Sequence, residues 1–180
     1  MSSELVLHSA RWSIYTQSAF TLVTAASLLL PLDGKQRALL YVAILETVSQ
    51  AVEFVYYLLA VYYYRGIRTW TRYIDWYVST QVMLVSFMAF FVYRTSGRSV
   101  DVLFTDPDLV PATAAIMTLN AVMLTFGFTV EIVDGFPYRI TFLSLGMVAF
   151  VALFLIVFHA HVLQSNDGLQ VTLYMFVFVV

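Results

Sequence analysis

The sequence has no cysteine and few charged residues. Its 180 residues include no Cys, and only 11% of them are Asp, Glu, Lys or Arg, compared with roughly 25% in an average soluble chain. The absence of cysteine excludes disulfides, thiolate metal sites and a cysteine nucleophile. The net charge of −2 gives no indication of a nucleic-acid partner. Glycine-rich phosphate loops, nucleophile elbows and His-Glu zinc motifs are also missing from the sequence, so we expect no enzyme.

Apolar residues dominate the chain instead. Hydrophobic residues make up 61% and aromatic residues 17% of the sequence, and the mean hydropathy is +0.84. A helix needs about 20 apolar residues to cross ~30 Å of hydrocarbon, and charge-poor windows of that length follow one another. They predict an all-α, multi-pass integral membrane protein in a lipid bilayer, with one transmembrane domain over residues 1–180. The predicted spans are 12–32, 38–64, 69–93, 109–130, 138–163 and an incomplete sixth at 168–180.

The sixth window is too short to cross a membrane. At ~1.5 Å per residue, the segment from Gly168 to Val180 covers much less than the hydrocarbon thickness. No polar or basic residue closes it. We therefore expect the chain to be a fragment or a naturally truncated product.

The third span contains a polar face. Arg72, Asp75, Ser79 and Ser86 recur at helical spacing. Ionisable groups within a membrane span are costly and are candidates for function. A guanidinium one turn from a carboxylate favours its ionised form, which suits a counterion to a buried cation. The alternative is an interfacial Arg-Asp pair in which Arg72 extends outward, and the spacing alone leaves both open.

The second span carries a stripe with two carboxylates. Glu46 and Glu53 share one helical face with Ser49, Gln50 and Tyr57. Such a stripe can line a path for a cation or a proton. The alternative is one protonated carboxyl that is hydrogen-bonded between helices. The path is favoured because the first span has a similar polar line, formed by Ser13, Gln17 and Thr24.

Two further groups of polar residues lie near span ends. His159 and His161 point to different faces of a helix because they are two residues apart, so we expect interfacial anchors rather than a shared metal site. The loop acids lack the spacing of an EF-hand, and we interpret them as a solvated loop; they are Asp101, Asp106 and Asp108. We predict no metal site.

The stretch R-Y-I-D-W-Y-V-S-T-Q, Arg72 to Gln81, resembles the third-helix signature of microbial (type 1) rhodopsins. The resemblance implies a seven-helix bundle, here helices one to five and part of helix six, that binds all-trans retinal through a Schiff base. It also implies a role for each matching residue. Asp75 resembles the counterion and proton acceptor, Arg72 its gating partner, Trp76 the retinal wall, and Ser79 and Thr80 the neighbouring hydroxyls.

Two later stretches extend the resemblance. V-M-L-T-F-G-F-T-V-E, Val122 to Glu131, is similar to the fourth helix of the proteorhodopsin group, and F-L-S-L-G, Phe142 to Gly146, is similar to the fifth helix. Gly146 would leave room for the retinal ring. The retinal contacts that the resemblance implies are Met83, Met123, Gly127, Phe142 and Gly146.

The sequence departs from the family pattern at three places. Gln81 stands where family members keep a proline, and Ser86 stands where proton pumps often carry a carboxylate donor. A serine cannot supply a proton at neutral pH, which handicaps pumping. Retinal attachment needs a seventh-helix lysine, whereas the only lysine is Lys35, in a polar loop at the membrane edge. We expect no covalent retinal on the chain as written, so the implied function belongs to the complete protein.

The leading hypothesis for that protein is a light-gated cation or proton channel. The Glu46 and Glu53 stripe resembles the helix-two carboxylates of channel-type or viral rhodopsins, and Ser86 disfavours a pump. The alternatives are a light-driven outward proton pump, a photosensory rhodopsin and a membrane scaffold that does not bind retinal. By resemblance, the N-terminus is extracellular and the protein forms a homo-oligomer.

Overall fold

The structure, a computed structural model, is built from helices. It describes residues 3–31, 37–62, 72–163 and 168–179, and no strand occurs within these ranges. The all-α prediction is therefore confirmed. A π-helical turn at Phe158–Val162, called the π-turn below, continues the sixth helix. The α-helices are α1 (Ser3–Ser27), α2 (Arg37–Tyr62), α3 (Arg72–Ser96), α4 (Val102–Thr105), α5 (Val110–Ile132), α6 (Phe136–Val157) and α7 (Gly168–Val179).

Four of the described helical segments have the length and hydropathy needed to cross a bilayer: Leu39–Leu59, Arg72–Ser96, Val110–Ile132 and Phe136–Val162. Helix α1 overlaps the predicted span 12–32 but does not belong to this group of four. Several of its hydroxyls donate to carbonyl oxygens three or four residues earlier, as between Thr21 and Gln17 at 2.8 Å. These bonds satisfy the hydroxyls within the helix, as an apolar medium requires. Lys35 lies outside the described residues.

The chain divides into two compact units, Met1–Met83 and Leu84–Val180. In the first unit, α1 packs along α2. In the second unit, α5 packs along α6, α4 contacts α5, and α7 contacts the π-turn. Helix α3 supplies residues to both units. The core of α6 consists of Gly146, Ala149, Leu153, Phe154 and Val157.

Glycine and proline set the helix ends of the second unit. Helix α3 stops at Gly97, which has φ +68 and donates its N–H to the Tyr93 carbonyl at 2.8 Å, a common helix end for glycine. Helix α5 has a proline in its first turn. Gly135, at φ +109, precedes α6, and the link from α5 is only three residues long, Val133 to Gly135. Short links of this kind produce neighbouring antiparallel helices.

Candidate functional site

In the first unit, one carboxyl group joins three helices. Nε2 of Gln17 on α1 donates a hydrogen bond to Oε2 of Glu53 on α2, and the Ser79 side chain on α3 hydrogen-bonds the same carboxyl. We call Gln17, Glu53, Asp75 and Ser79 the acidic cluster. Hydrogen bonds between helices hold polar groups that lipid would otherwise penalise. The cluster therefore fixes the facing sides of α1, α2 and α3.

Asp75 is the most buried acid of this cluster. It is 4% exposed, and its Oδ1 atom has no hydrogen-bond partner among the residues that the structure describes. The charges acting on it come from Glu53, which repels a negative charge, and from Arg72, which attracts one. Burial places Asp75 inside the protein, and the choice between a counterion and an interfacial pair stays a prediction. Its charge state is therefore coupled to Glu53 on the neighbouring helix.

The Arg72 side chain is held against an aromatic ring. Its guanidinium carbon lies 5.2 Å from the centroid of the Trp76 ring, within the range of a cation–π contact. Tyr73 packs edge-on against Trp76, with the two centroids 5.1 Å apart. Thr80 donates its hydroxyl to the Trp76 carbonyl at 2.6 Å. The Trp76 ring is thus held by Arg72 and Tyr73 of its own helix, and its role as a retinal wall stays a prediction.

The polar stripe on α2 continues away from Glu53. The charge of Glu46 repels that of Glu53. Ser49 lies between them in the sequence and is buried, with 4% of its surface exposed. The Oε1 atom of Gln50 is buried and has no hydrogen-bond partner within the described ranges. On α1, Thr24 donates to the carbonyls of its own helix. Gln17 is thus a residue of the α1 polar line that contacts the α2 stripe.

The second unit contains the other residues predicted to contact retinal. Gly146 is buried, and a Cβ at this position would lie 3.5 Å from Phe126 Cβ and 3.7 Å from the Met123 carbonyl oxygen. The rings of Phe126 and Phe142 are 6.1 Å apart. The structure therefore brings Gly146 beside Met123, and Phe142 beside Phe126, where α5 meets α6. Gly127 is half-buried on α5, and Met83 of the first unit is exposed.

Gly146→Ala is expected to stabilise the protein by up to about 1 kcal/mol, since alanine favours helix and the added Cβ meets only ordinary contacts. Gly146→Leu is expected to destabilise it by about 1–3 kcal/mol, because the longer side chain forces α5 and α6 apart. Thermal unfolding in detergent, followed by circular dichroism, checks both. Ser144, exposed on α6, provides the control Ser144→Leu. Equal effects of Gly146→Leu and Ser144→Leu would contradict the close packing at Gly146.

The sequence did not predict a cavity in the second unit. It has a volume of about 240 Å³ and lies among the end of α3, the following loop, the start of α5 and the π-turn.

His161 lines this cavity and is 5% exposed, whereas His159 is exposed. The expectation that both histidines anchor at the interface is therefore wrong for His161. Two of the loop acids, Asp106 and Asp108, also line the cavity, and no sequence pattern signals a π-helical turn.

Asp106 is the acid of the loop that is held by specific bonds. The Asp108 N–H donates to its Oδ1 at 3.1 Å, and Arg98 Nη1 donates to its Oδ2 at 2.6 Å. The Asp108 N–H and then the Arg98 guanidinium lower the pKa of Asp106 below its ordinary value of 3.8. The interpretation as a fully solvated loop therefore holds for the exposed Asp101 and Asp108 but not for Asp106.

The lowered pKa of Asp106 predicts a pH-dependent loop. The ionised Asp106 carboxylate contributes fully to loop order above pH ~3.8, its pKa in the unfolded chain. This contribution is lost as the pH falls through the lower pKa that Asp106 has in the folded protein. Arg98→Gln removes one of the two causes, so the pKa of Asp106 is expected to rise toward 3.8. Carboxyl ¹³C NMR measures this pKa directly. Arg139→Gln, in the first turn of α6, is the control, and a shift of equal size in the pKa of Asp106 in that variant would refute the assignment to Arg98.

A family comparison places these residues in context. The family model described as bacteriorhodopsin-like protein matches residues 9–180. The chain belongs to the bacteriorhodopsin-like family. No curated protein matches it. Membership confirms the microbial rhodopsin resemblance, and together with the helices it is consistent with part of a seven-helix bundle. The four apolar helices of this bacteriorhodopsin-like chain make it an integral, multi-pass membrane protein.

Bacteriorhodopsin-like proteins generally bind retinal, and the acidic cluster fits this cofactor in one respect. The buried Oδ1 of Asp75 has no hydrogen-bond partner among the described residues. A buried carboxylate oxygen needs a partner, and the cation of a protonated imine is a suitable one. The retinal contacts that the resemblance implies stay predictions; Trp76, Thr80 and Met83 belong to the first unit, and Met123, Gly127, Phe142 and Gly146 belong to the second.

Proposed function

We propose that this bacteriorhodopsin-like chain belongs to a light-gated cation or proton channel. The observation that carries the proposal is the Glu53 carboxyl, which bonds to both Gln17 and Ser79. It links three helices through a group that can also bind a cation. Carboxylates of this kind select cations in membrane pores. Glu46 extends the negative charge along α2, as a continuous path requires.

The gating step in this proposal begins at Asp75. Retinal, when bound, would supply light absorption and a transferable proton. Asp75 accepts that proton at its carboxylate and becomes neutral. Neutral Asp75 no longer repels Glu53 or attracts Arg72, which are the two charges that act on it. Glu53 is then free to exchange its bonds to Gln17 and Ser79 for a passing cation, so a local change of charge opens the path.

Ser86 favours the channel over the pump. It is 5% exposed, and its Oγ has no hydrogen-bond partner within the described part of the chain. It lies eleven residues after Asp75 on α3, where pumps of the resembled family often place a carboxylate. The aliphatic hydroxyl of serine cannot act as a general acid at neutral pH. Passive flow along an ion gradient needs no such donor.

The test is a photocurrent–voltage measurement on the reading frame expressed through to its stop codon, with added all-trans retinal. A current that reverses with the cation or proton gradient supports the channel. Outward current at zero gradient and zero voltage overturns it in favour of a pump, and a slow photocycle without current overturns it in favour of a photosensor. No visible absorption band would overturn retinal binding and favour a scaffold.

A further inference from the structure

The cavity of the second unit is lined by both polar and apolar groups. Its volume is about 240 Å³, several times the roughly 30 Å³ that one water molecule occupies in the liquid. Phe91 and Val92 form part of the wall, and Thr95, Ser96 and Arg98 add polar groups. A cavity stays dry when it is apolar and takes up water when polar partners line it. This one therefore suits several water molecules.

His161 is the buried titratable group of the wall. It is 5% exposed, and its ring centroid lies 6.5 Å from that of Phe91. Its Nε2 atom is buried without a hydrogen-bond partner among the residues that the structure describes. Buried imidazole nitrogens are ordinarily bonded, so this one needs an explanation. A ring that changes its protonation state needs different partners in its two states.

The backbone around His161 is also unusual. The N–H of Leu163 donates to the Phe158 carbonyl at 2.8 Å, a bond that spans five residues. Single π-helical turns of this kind are rare and occur frequently at functional sites. The π-turn sets His161 in the cavity wall while His159 faces outward. This observation is independent of the unpartnered nitrogen and points to the same residue.

The charged groups at the cavity connect it to the loop. Arg98 pairs with Asp106 at 2.6 Å, and Asp108 contributes a second, exposed carboxylate. On α7, which packs on the π-turn, the Tyr174 hydroxyl donates to the Phe154 carbonyl at 3.0 Å. Carboxylates beside a cavity raise the local concentration of cations, including the hydronium ion.

We propose that the cavity is a water-filled proton-exchange site in which His161 takes up and releases protons. In uptake, a hydronium ion gives one proton to the neutral imidazole, and a water molecule and an imidazolium result; release is the reverse. Asp106 is paired with Arg98, so the Asp108 carboxylate balances the imidazolium charge. The site goes beyond the proposed channel, because it uses neither Asp75, Glu53 nor a bound cofactor.

Deuterium exchange at the ring Cε1 of histidine tests this directly, because that exchange proceeds through the imidazolium and requires water. The protein in lipid nanodiscs is incubated in D₂O, and fragment-ion mass spectrometry separates His161 from His159, which serves as the internal reference. We expect exchange at His161. Ala160 lines the cavity, so Ala160→Leu fills it and is expected to slow His161 at least about threefold relative to His159.

Ala114→Leu, at an exposed position of α5, is the matched control and is expected to leave the ratio of the two rates unchanged. Circular dichroism checks that both variants are folded. The proposal is overturned if His161 shows no exchange in the unmodified protein while His159 exchanges completely. An unchanged ratio in folded Ala160→Leu also overturns it. The measurement on the unmodified protein decides the question even when Ala160→Leu does not fold.

Discussion

Glu53→Gln is expected to reduce the light-gated cation current at least about tenfold, equivalent to ~1.4 kcal/mol in the barrier to permeation. Glutamine has nearly the shape of glutamate and can keep hydrogen bonds to Gln17 and Ser79. It cannot carry the negative charge that draws a cation into the path. The loss therefore reports charge rather than packing. Photocurrent, normalised to the visible absorbance of the same cells, measures it.

Two substitutions serve as controls for Glu53. Glu46→Gln removes a charge from the same α2 stripe. Because Glu46 is not part of the acidic cluster, we expect a smaller loss of current. Glu131→Gln changes an exposed residue near the end of α5 and is expected to leave the current unchanged. Full current in Glu53→Gln would remove Glu53 from the path. It would instead favour the alternative from the sequence, a neutral carboxyl that only joins the helices.

Asp75→Asn is expected to abolish gating and to lower, by about 1–3 pH units, the pH above which the visible band is lost. The carboxylate stabilises a neighbouring cation by Coulomb attraction, which is strong because Asp75 is 4% exposed. Asparagine keeps the size of the side chain but neither attracts the cation nor accepts its proton. A pH titration of the absorption spectrum, followed by photocurrents, measures both effects.

The control for Asp75 is Asp101→Asn, which removes one exposed carboxylate from the loop after α3. We expect neither the absorption band nor the current to change in Asp101→Asn. If the band of Asp75→Asn titrates as in the unmodified protein, Asp75 is not the counterion. Glu53, whose charge acts on Asp75, is then the carboxylate to test next.

Periodicity predicted the polar face of α3, because residues one turn apart on a helix share a side. The sequence alone was therefore enough to predict the shared face of Arg72, Asp75 and Ser79. The bond from Gln17 to Glu53 and that from Glu53 to Ser79 required the packing of three helices. A polar stripe shows that a helix has a partner but not which residue on the partner it contacts. The assignment of each residue to a function remains a prediction from the family resemblance.

His161 shows where sequence reasoning fails for a physical reason. The spacing from His159 predicts different faces, and the structure shows one exposed and one buried ring. The pattern does not say which face is covered, because that depends on α3 residues distant in sequence, such as Phe91. The π-turn is equally invisible, since it depends on one shifted backbone bond rather than on residue type.

The π-turn also determines how this end of the protein can change by insertion and deletion. It holds one residue more than an α-helix needs for the same rise, so removing one residue from Phe158–Val162 would restore regular α-geometry. Residues beyond the turn would keep their faces of the helix, because the turn absorbs the extra residue, and only the positions within the turn, His161 among them, would be reassigned. A chain shortened by that single residue would place a different side chain beside Phe91, even with every other residue unchanged. At this position a one-residue deletion, rather than a substitution, would change which side chain lines the cavity.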